Sequence, residues 1–388
     1  MTATEVAAGP VTREGFRPGV RGLLAEPRVR DVVAGIAALP PGEEAGPLPV
    51  YRWLGELGWL APAWPAEYGG LGFGPAEAAI VTEELARAGV PDDIHVLAID
   101  IVGTFLLRVG TARQRAGHLP ALARGERTAA VLFTEPECGS DLAALSTRAV
   151  PDGDGWRLYG TKTYHQKSGV ADIALLAART TTGPSAMYGI TLFLLPLRAP
   201  GIHVEPMPGM GNDRFMRVVI DGVRLAAEDV IGDVDDGWRL LNEMLLLERT
   251  GIDFHAKARR ILDQVIARAD ASGRLDDPRY ALALADLDAR LRAGHALAWE
   301  QVRRVESGSP DQVSSAMAKW YVTEQIRALL HVGTDVAGLD AMLTSWDGQA
   351  PDDGAFEAAY RLGPAHRLAS GTSEIMLYLI ATNGLELL

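Results

Sequence analysis

The chain has 388 residues, of which 48% are hydrophobic and 22% are charged, so it can bury the cores of two or three domains. Its net charge of −13 argues against a nucleic-acid-binding protein, because phosphates attract basic surfaces. A single cysteine excludes an intrachain disulfide framework. With no signal-peptide pattern and no apolar run of membrane-spanning length, we expect a cytoplasmic protein with no membrane contact.

The first part of the chain, 1–126, is predicted to be an all-helical domain. A Pro- and Gly-rich loop interrupts it after residue 60, and the pair Thr111 and Gln114 forms a capping-box pattern that opens its last helix. The other predicted helices are Val20–Leu39, Pro49–Leu60, a segment from Pro75 to Gly89, and Ile94–Val109.

Short β-rich runs then alternate with turns and predict a small β domain over 127–236. The predicted strands are Thr128–Phe133, Trp156–Tyr159, Ile173–Ala177, Ile190–Leu195 and Phe215–Ile220. From residue 237 to 388 the pattern is helical, and long segments with short connections predict a bundle. The predicted bundle helices are Trp238–Ala271, Pro278–Ser307, Pro310–Gly338, Asp352–Leu368 and Glu374–Leu385.

Two loops in the β domain are rich in hydroxyl groups and glycine. One, with the sequence TEPECGSD, follows the first strand over 134–141, and the other, GTK, follows at 160–162. Such loops at strand ends can donate hydrogen bonds to a phosphate or a flat polar ring. The alternative is a pair of ordinary hairpin loops, since these residues are common in turns.

An acidic residue, Glu248, falls within an apolar stripe of the first predicted bundle helix. A carboxylate in such a position has a raised pKa, which suits a base that works near neutral pH. The alternative is an ion pair with Arg249 or Arg259, and His255 is expected to be a bundle histidine rather than a catalyst. The stripe consists of Trp238, Leu241, Leu245, Glu248, Ile252 and His255.

Three motifs together resemble the acyl-CoA dehydrogenase family. They are TEPECGSD, GTK followed by an aromatic residue, and the segment 368–375, LASGTSEI, which resembles the family's GGTSEI loop. The resemblance covers nearly the whole chain. It implies a mainly α fold with an N-terminal helical domain, a small middle β domain and a C-terminal four-helix bundle.

The resemblance also implies FAD as the cofactor, held between the β domain and the bundle. Tyr164 stands where many members have a tryptophan, and Gln166 stands where a threonine or serine is usual. Simple loop capping is the alternative role for each hydroxyl. The residues implied to contact FAD are Val131, Phe133, Thr134, Gly139, Ser140, Tyr164, Gln166, Thr372 and Glu374.

One departure from the family pattern concerns the catalytic base. Many members place a glutamate in a Y-E-G-T motif, whereas this chain has Ser370 at that position. A subset places the base in a Leu-x-x-Glu-Arg context, which matches 245–249 and implies Glu248. The substrate-binding residues implied by the resemblance are Ser140, Arg249, Ser370 and Gly371.

Other departures concern motifs that contact FAD across subunits. The family's R-x-x-F-G and Q-x-x-G-G patterns are absent. Arg274 or Arg279 could substitute for the arginine of the R-x-x-F-G pattern. We expect a homodimer or homotetramer, and such losses also fit a mixed oligomer or a specialised bacterial enzyme of secondary metabolism.

The leading hypothesis is FAD-dependent α,β-dehydrogenation of an acyl thioester, carried on CoA or on a carrier protein. Glu248 would take the α-proton, the β-hydrogen would leave as hydride to flavin N5, and electrons would pass to an electron-transfer flavoprotein or to oxygen. The alternatives are a flavin-dependent oxygenase or oxidase and a non-catalytic subunit of a mixed oligomer. No metal is expected, because the eight histidines lack ligand spacing, and Cys138 is expected to be a small loop residue rather than a nucleophile.

Overall fold

A computed structural model describes most of the chain, without the side chains of Leu247 and Glu248. The described residues are 12–39, 45–211, 215–248, 250–345, 347–350 and 354–387. They form two compact units. The first contains the described residues through Thr82, Val90–Gly209 and 215–248. The second contains Glu83–Gly89, 210–211 and the described residues from 250 onward.

Helices form the N-terminal part of the chain, as predicted. Their bounds are α1 Arg13–Leu24, α2 Pro27–Ala37, α3 Leu48–Glu56, α4 Pro75–Ala88, α5 93–109 with π-helical turns at Val96–Gly103, and α6 Ala112–Ala123. The prediction of one helix over Val20–Leu39 was wrong, because Glu26 adopts the extended conformation that a following proline favours. The predicted capping box is confirmed: Thr111 and Gln114 each bond the other's backbone N–H through their side chains.

A single eight-stranded sheet follows. The strands are β1 Ala129–Leu132, β2 Arg148–Asp152, β3 Gly155–Gln166, β4 Ile173–Arg179, β5 Ile190–Pro196, β6 Ile202–Met207, β7 Phe215–Ala226 and β8 Val230–Ile231. Their order is β6-β7-β3-β2-β4-β5-β8, and β1 pairs in parallel with β4. The first six residues of β4 and of β5 are all buried. This pattern is typical of strands that are covered on both faces of the sheet.

The helix that follows the sheet ends earlier than the sequence predicts. This helix, α7, spans Gly237–Glu248, and α8 begins at Ile252. Between them Gly251 adopts φ +75°, a left-handed conformation that ends a right-handed helix. The predicted single helix Trp238–Ala271 was therefore wrong, and the predicted stripe does not continue along one helix into α8.

Among the described residues from 250 onward, four α-helices and a short fifth build the second unit. They are α8 Ile252–Ala271, α9 Pro278–Glu306, α10 Gln312–Ala337, α11 Ala355–Leu368 and α12 Ser373–Leu379. Buried side chains of α8, α9 and α10 form one apolar core, including Leu262, Leu291 and Ile326. Helical N-terminal and C-terminal parts around a middle β domain confirm the predicted fold. Within the described residues, no helix combines the length and apolar character that a membrane span requires.

Candidate active site

The two segments singled out from the sequence lie side by side in the structure. The prediction of GTK as a loop was wrong, because 160–162 continue strand β3 and pair with β7. The carbonyl oxygen of Thr134 accepts a hydrogen bond from the backbone N–H of Thr163 at 3.0 Å and another from Nε2 of His165 at 3.0 Å. The segment that follows β1 is thereby fixed against the end of β3. Tyr164 lies between the two donor residues in sequence.

A buried ion pair holds this junction together. Nζ of Lys162 lies 2.9 Å from Oε1 of Glu135 and also donates to the carbonyl of Phe133 at 2.9 Å. The carboxylate accepts three further hydrogen bonds, from the N–H and hydroxyl of Ser146 and the N–H of Thr147. Lys162 is 0% exposed and Glu135 is 4% exposed. The loop thus rests on a charged pair whose hydrogen bonds are made within the protein.

The electrostatics of the pair favour its ionised form at neutral pH. Burial alone would raise the pKa of Glu135, but the Lys162 charge and the hydrogen bonds to the carboxylate lower it to about 2. Burial lowers the pKa of Lys162, and the charge of Glu135 opposes that shift. The motif glycine has a steric role, because a Cβ at Gly160 would come within 2.3 Å of Oγ1 of Thr147.

A β-bulge turns Tyr164 towards solvent. Relative to β7, β3 carries one extra residue between Lys162 and His165, and Tyr164 adopts φ +61° there. Its side chain is 59% exposed, and its ring lies edge-on to that of Phe215 with centroids 6.3 Å apart. A non-glycine residue with such a φ is strained, and such strain clusters at functional sites.

Beside the bulge, two titratable groups are buried in uncharged form. Burial lowers the pKa of His165 to about 3, so its imidazole is neutral at pH 7 and Nε2–H donates to Thr134. Cys138 is 5% exposed, and burial raises the pKa of its thiol. A protonated, buried thiol agrees with its expected role as a small loop residue.

The other predicted cofactor contacts of the β domain differ in accessibility. Val131 and Gln166 are half-buried, at β1 and at the end of β3, while Gly139 and Ser140 are exposed in the loop. The side chain of Phe133 is 9% exposed and its carbonyl is taken by Lys162. Phe133 therefore acts mainly as part of the core below the loop.

The LASGTSEI segment in the second unit is held by a buried lysine. Nζ of Lys319 donates to the carbonyl of Gly371 at 2.6 Å, and the Lys319 side chain is 0% exposed. The loop backbone is strained at Ser370, with φ +54°, while Gly371 has φ +96°, which glycine adopts readily. Lys319 thus fixes the backbone at the position where many family members carry a catalytic glutamate.

The hydroxyl of Thr372 begins helix α12. It accepts a hydrogen bond from the N–H of Ile375 at 3.2 Å, which is the capping role expected as its alternative. Glu374 is exposed in the first turn, where hydrogen bonds to backbone and to Thr372 lower its pKa. A hydroxyl that caps a helix can still donate to a ligand, so the predicted cofactor role of Thr372 stays a prediction.

The predicted base and its neighbour have no described side-chain geometry. Glu248 is the last residue of α7, but its side chain is outside the described part of the structure, and Arg249 lies outside the described residues. Earlier in α7, Leu241 is 1% exposed and Leu245 is half-buried, as the apolar stripe predicts. The roles of Glu248 and Arg249 stay predictions.

An open groove of about 700 Å³ in the second unit is separate from these residues. None of the predicted site residues lines it. Its lining consists of Arg87, Arg260, Asp263, Gln264, Ala267, Arg268 and Ala271.

Comparison with known protein families places all three parts of the chain in one family. The N-terminal, middle and C-terminal domain models of acyl-CoA dehydrogenases match residues 24–126, 130–223 and 235–385. Among curated proteins, the acyl-CoA dehydrogenase IpdE1 of Mycobacterium tuberculosis is 30% identical, over 96% of this chain and 97% of its own length.

Solved structures give the same result. The structure titled Tcur3481-Tcur3483 steroid ACAD matches with a TM-score of 0.87 and 29% identity, over 98% of each chain. The ChsE4-ChsE5 complex from Mycobacterium tuberculosis matches with a TM-score of 0.84 and 28% identity, over 98% of this chain and 99% of that chain. Matching domain models along nearly the whole length, full-length relatives and the observed fold agree: the chain belongs to the acyl-CoA dehydrogenase family.

Proposed function

We propose that this enzyme binds FAD and introduces an α,β double bond into an acyl-CoA thioester, with Glu248 as the base. The observation that carries the proposal is the contact of two motif segments at the Thr134 carbonyl, in a chain that belongs to this family. The relatives IpdE1 and FadE29 of Mycobacterium tuberculosis are named acyl-CoA dehydrogenases, which favours CoA over a carrier protein.

The residues at this junction fit a flat, polar cofactor ring. Tyr164 offers an exposed aromatic surface, and the exposed Gly139 and Ser140 offer N–H and hydroxyl donors on the adjoining loop. The Glu135–Lys162 pair beneath keeps the loop in place, which reduces the ordering cost of binding. When bound, FAD supplies the acceptor for the hydride that leaves Cβ.

Glu248 is the proposed base because the other position used in the family carries a serine. Ser370 has no ionisable group that can take an α-proton at neutral pH, whereas Glu248 follows three leucines and precedes Arg249. Loop donors such as the Ser140 hydroxyl would stabilise negative charge on the thioester oxygen, which acidifies the α-carbon. Arg249 would shape the thioester end of the site.

Replacing the base without changing its shape tests the proposal. In Glu248→Gln, we expect FAD to stay bound while anaerobic bleaching near about 450 nm by acyl-CoA substrates slows by roughly 10²- to 10⁴-fold. The matched control is Glu243→Gln, which removes an exposed partner of Arg239 on the same helix and should bleach at the wild-type rate. Bleaching of FAD-loaded Glu248→Gln at the wild-type rate would rule out this base.

A second candidate is that the chain acts as one subunit of a mixed oligomer. Both arginines that could replace the missing inter-subunit contact are engaged locally: Arg274 bonds the Asp335 carbonyl, and Arg279 pairs with Asp277. Two similar structures carry titles that name two components.

Purification of the chain alone distinguishes the candidates. A yellow homo-oligomer that acyl-CoA bleaches supports the homomeric enzyme. A colourless protein that gains FAD only after a second family member is co-expressed supports the mixed oligomer.

A further inference from the structure

Three side chains from three helices form a compact cluster in the second unit. Glu83 of α4, His255 of α8 and His295 of α9 each place one potential ligand atom within 4.8 Å of those of the other two. Glu83 is 2% exposed and His255 is 5% exposed, while the side chain of His295 is 42% exposed. The cluster is therefore buried on one side and open to solvent at His295.

The hydrogen bonding of the cluster is incomplete. Nε2 of His295 lies 2.8 Å from Oε1 of Glu83, which joins two of the three residues. The third, His255, has a buried Nδ1 without a hydrogen-bond partner among the described residues. A buried polar atom left unpaired costs about 1–3 kcal/mol, so its retention points to a ligand that completes the site.

The arrangement of the two imidazole rings also suits a cation. The planes of the two imidazole rings are tilted by 31° to each other, and the ring centroids are 4.5 Å apart. Two positive charges at that separation would repel each other, whereas one bound cation beside the Glu83 carboxylate would not.

We propose that Glu83, His255 and His295 bind a divalent transition-metal ion, with zinc as the probe of choice. Two imidazoles and one carboxylate form a ligand set common for such ions, and water from the His295 side would complete the coordination. The ion would take the place of the hydrogen between Nε2 of His295 and Oε1 of Glu83, and a neutral His295 would then carry its proton on Nδ1. It would also tie α8 and α9 to the end of α4.

Metal analysis of the full-length enzyme tests the site. After EDTA treatment and equilibrium dialysis against zinc at pH 7.5, we expect about one zinc per chain and a higher melting temperature. His295→Gln should weaken binding by at least about tenfold, because even outer-shell partners of metal sites change affinity by about 10- to 100-fold. This variant should fold, since His295 is the most exposed member.

Two controls make the result decisive. His203→Gln removes an exposed histidine of β6 and should leave zinc binding unchanged, while Glu83→Gln should reduce it as His295→Gln does. Substoichiometric zinc in the wild type, or equal binding by wild type and His295→Gln, would overturn the proposal and leave the cluster as a hydrogen-bonded link between helices.

Discussion

Lys162 and Glu135 form a closed ion pair 2.9 Å apart, and together they support the loop that carries the family's most specific motif. The two residues are 27 positions apart in sequence and come from two motifs. Their pairing joins the T-E-P and G-T-K segments physically in this chain. The lysine of the second motif acts through the glutamate of the first.

Removing one charge of the pair should destabilise the first unit strongly. Lys162→Met leaves Glu135 buried without its counter-charge, and we expect a loss of about 3–5 kcal/mol in the free energy of unfolding, measured in urea. The double variant Glu135→Gln/Lys162→Met should lose less than the sum of the single variants. Arg124→Met, in an exposed pair with Glu126, is the control and should cost less than about 1 kcal/mol.

Tyr164 should lower the stability of the fold and strengthen the binding of FAD. Tyr164→Gly suits φ +61° better and removes strain of about 1 kcal/mol or more, so the melting temperature should hold or rise. Loss of the exposed ring should weaken FAD binding, measured by fluorescence titration of the apoprotein. Tyr164→Phe keeps the ring and should bind FAD nearly as well as wild type. Unchanged FAD affinity in Tyr164→Gly would remove this residue from the proposed site.

His165 should make the fold sensitive to acid. Its folded pKa of about 3 lies below the ordinary value of 6.5, so the unfolded chain takes up a proton that the folded chain rejects. Stability from this group is complete above pH 6.5 and is lost as the pH falls towards 3. His165→Gln should flatten that slope by up to about 1.4 kcal/mol per pH unit. His203→Gln, at an exposed position, should leave the slope unchanged.

Lys319 should control the loop around Gly371. Lys319→Met keeps the apolar stem but removes the hydrogen bond to the Gly371 carbonyl, so the strained loop loses its anchor. We expect weaker FAD binding and faster amide exchange at 370–374, with helix α10 retained. Lys257→Met, at a more exposed lysine on α8, should change neither quantity. Wild-type exchange in Lys319→Met would contradict the anchoring role.

The break between α7 and α8 should depend on Gly251. Gly251→Ala forces a Cβ into φ +75° and within 3.2 Å of the Ala318 backbone, so two costs add. Gly273 has φ +69° and open space around it, so Gly273→Ala carries the conformational cost alone, about 1–2 kcal/mol. The difference between the two melting-temperature shifts reports the cost of the steric contact between the new Cβ and the Ala318 backbone. Equal shifts would show that the surrounding backbone moves enough to remove this cost.

The sequence predicts well those elements whose pattern is local. Strands β4 and β5 are mostly apolar and begin where expected. Strand β6 was missed because it is a polar edge strand with Pro206 inside it, which only an edge tolerates. The break at Gly251 was missed because the apolar stripe continues on both sides of it.

The site residues also divide into those that a local sequence pattern predicts and those that it does not. Motif residues such as Tyr164 and Ser370 could be found from the sequence, although their strained backbone could not. Lys162 and Lys319 act through partners far away in the chain, and the Glu83 cluster draws on three helices. No spacing rule connects such residues before the fold brings them together.

The bulge in β3 has a consequence for aligning relatives. The additional residue reverses the inside–outside alternation of the strand, so Lys162 and His165 can both be buried although an odd number of positions separates them. A relative lacking that residue would show a one-position gap here, and an ungapped alignment would equate buried side chains with exposed ones. When relatives are aligned after residue 162, buried positions of the strand should therefore be matched with buried positions. Tyr164, the exposed aromatic residue at the bulge, is the reference point for that match.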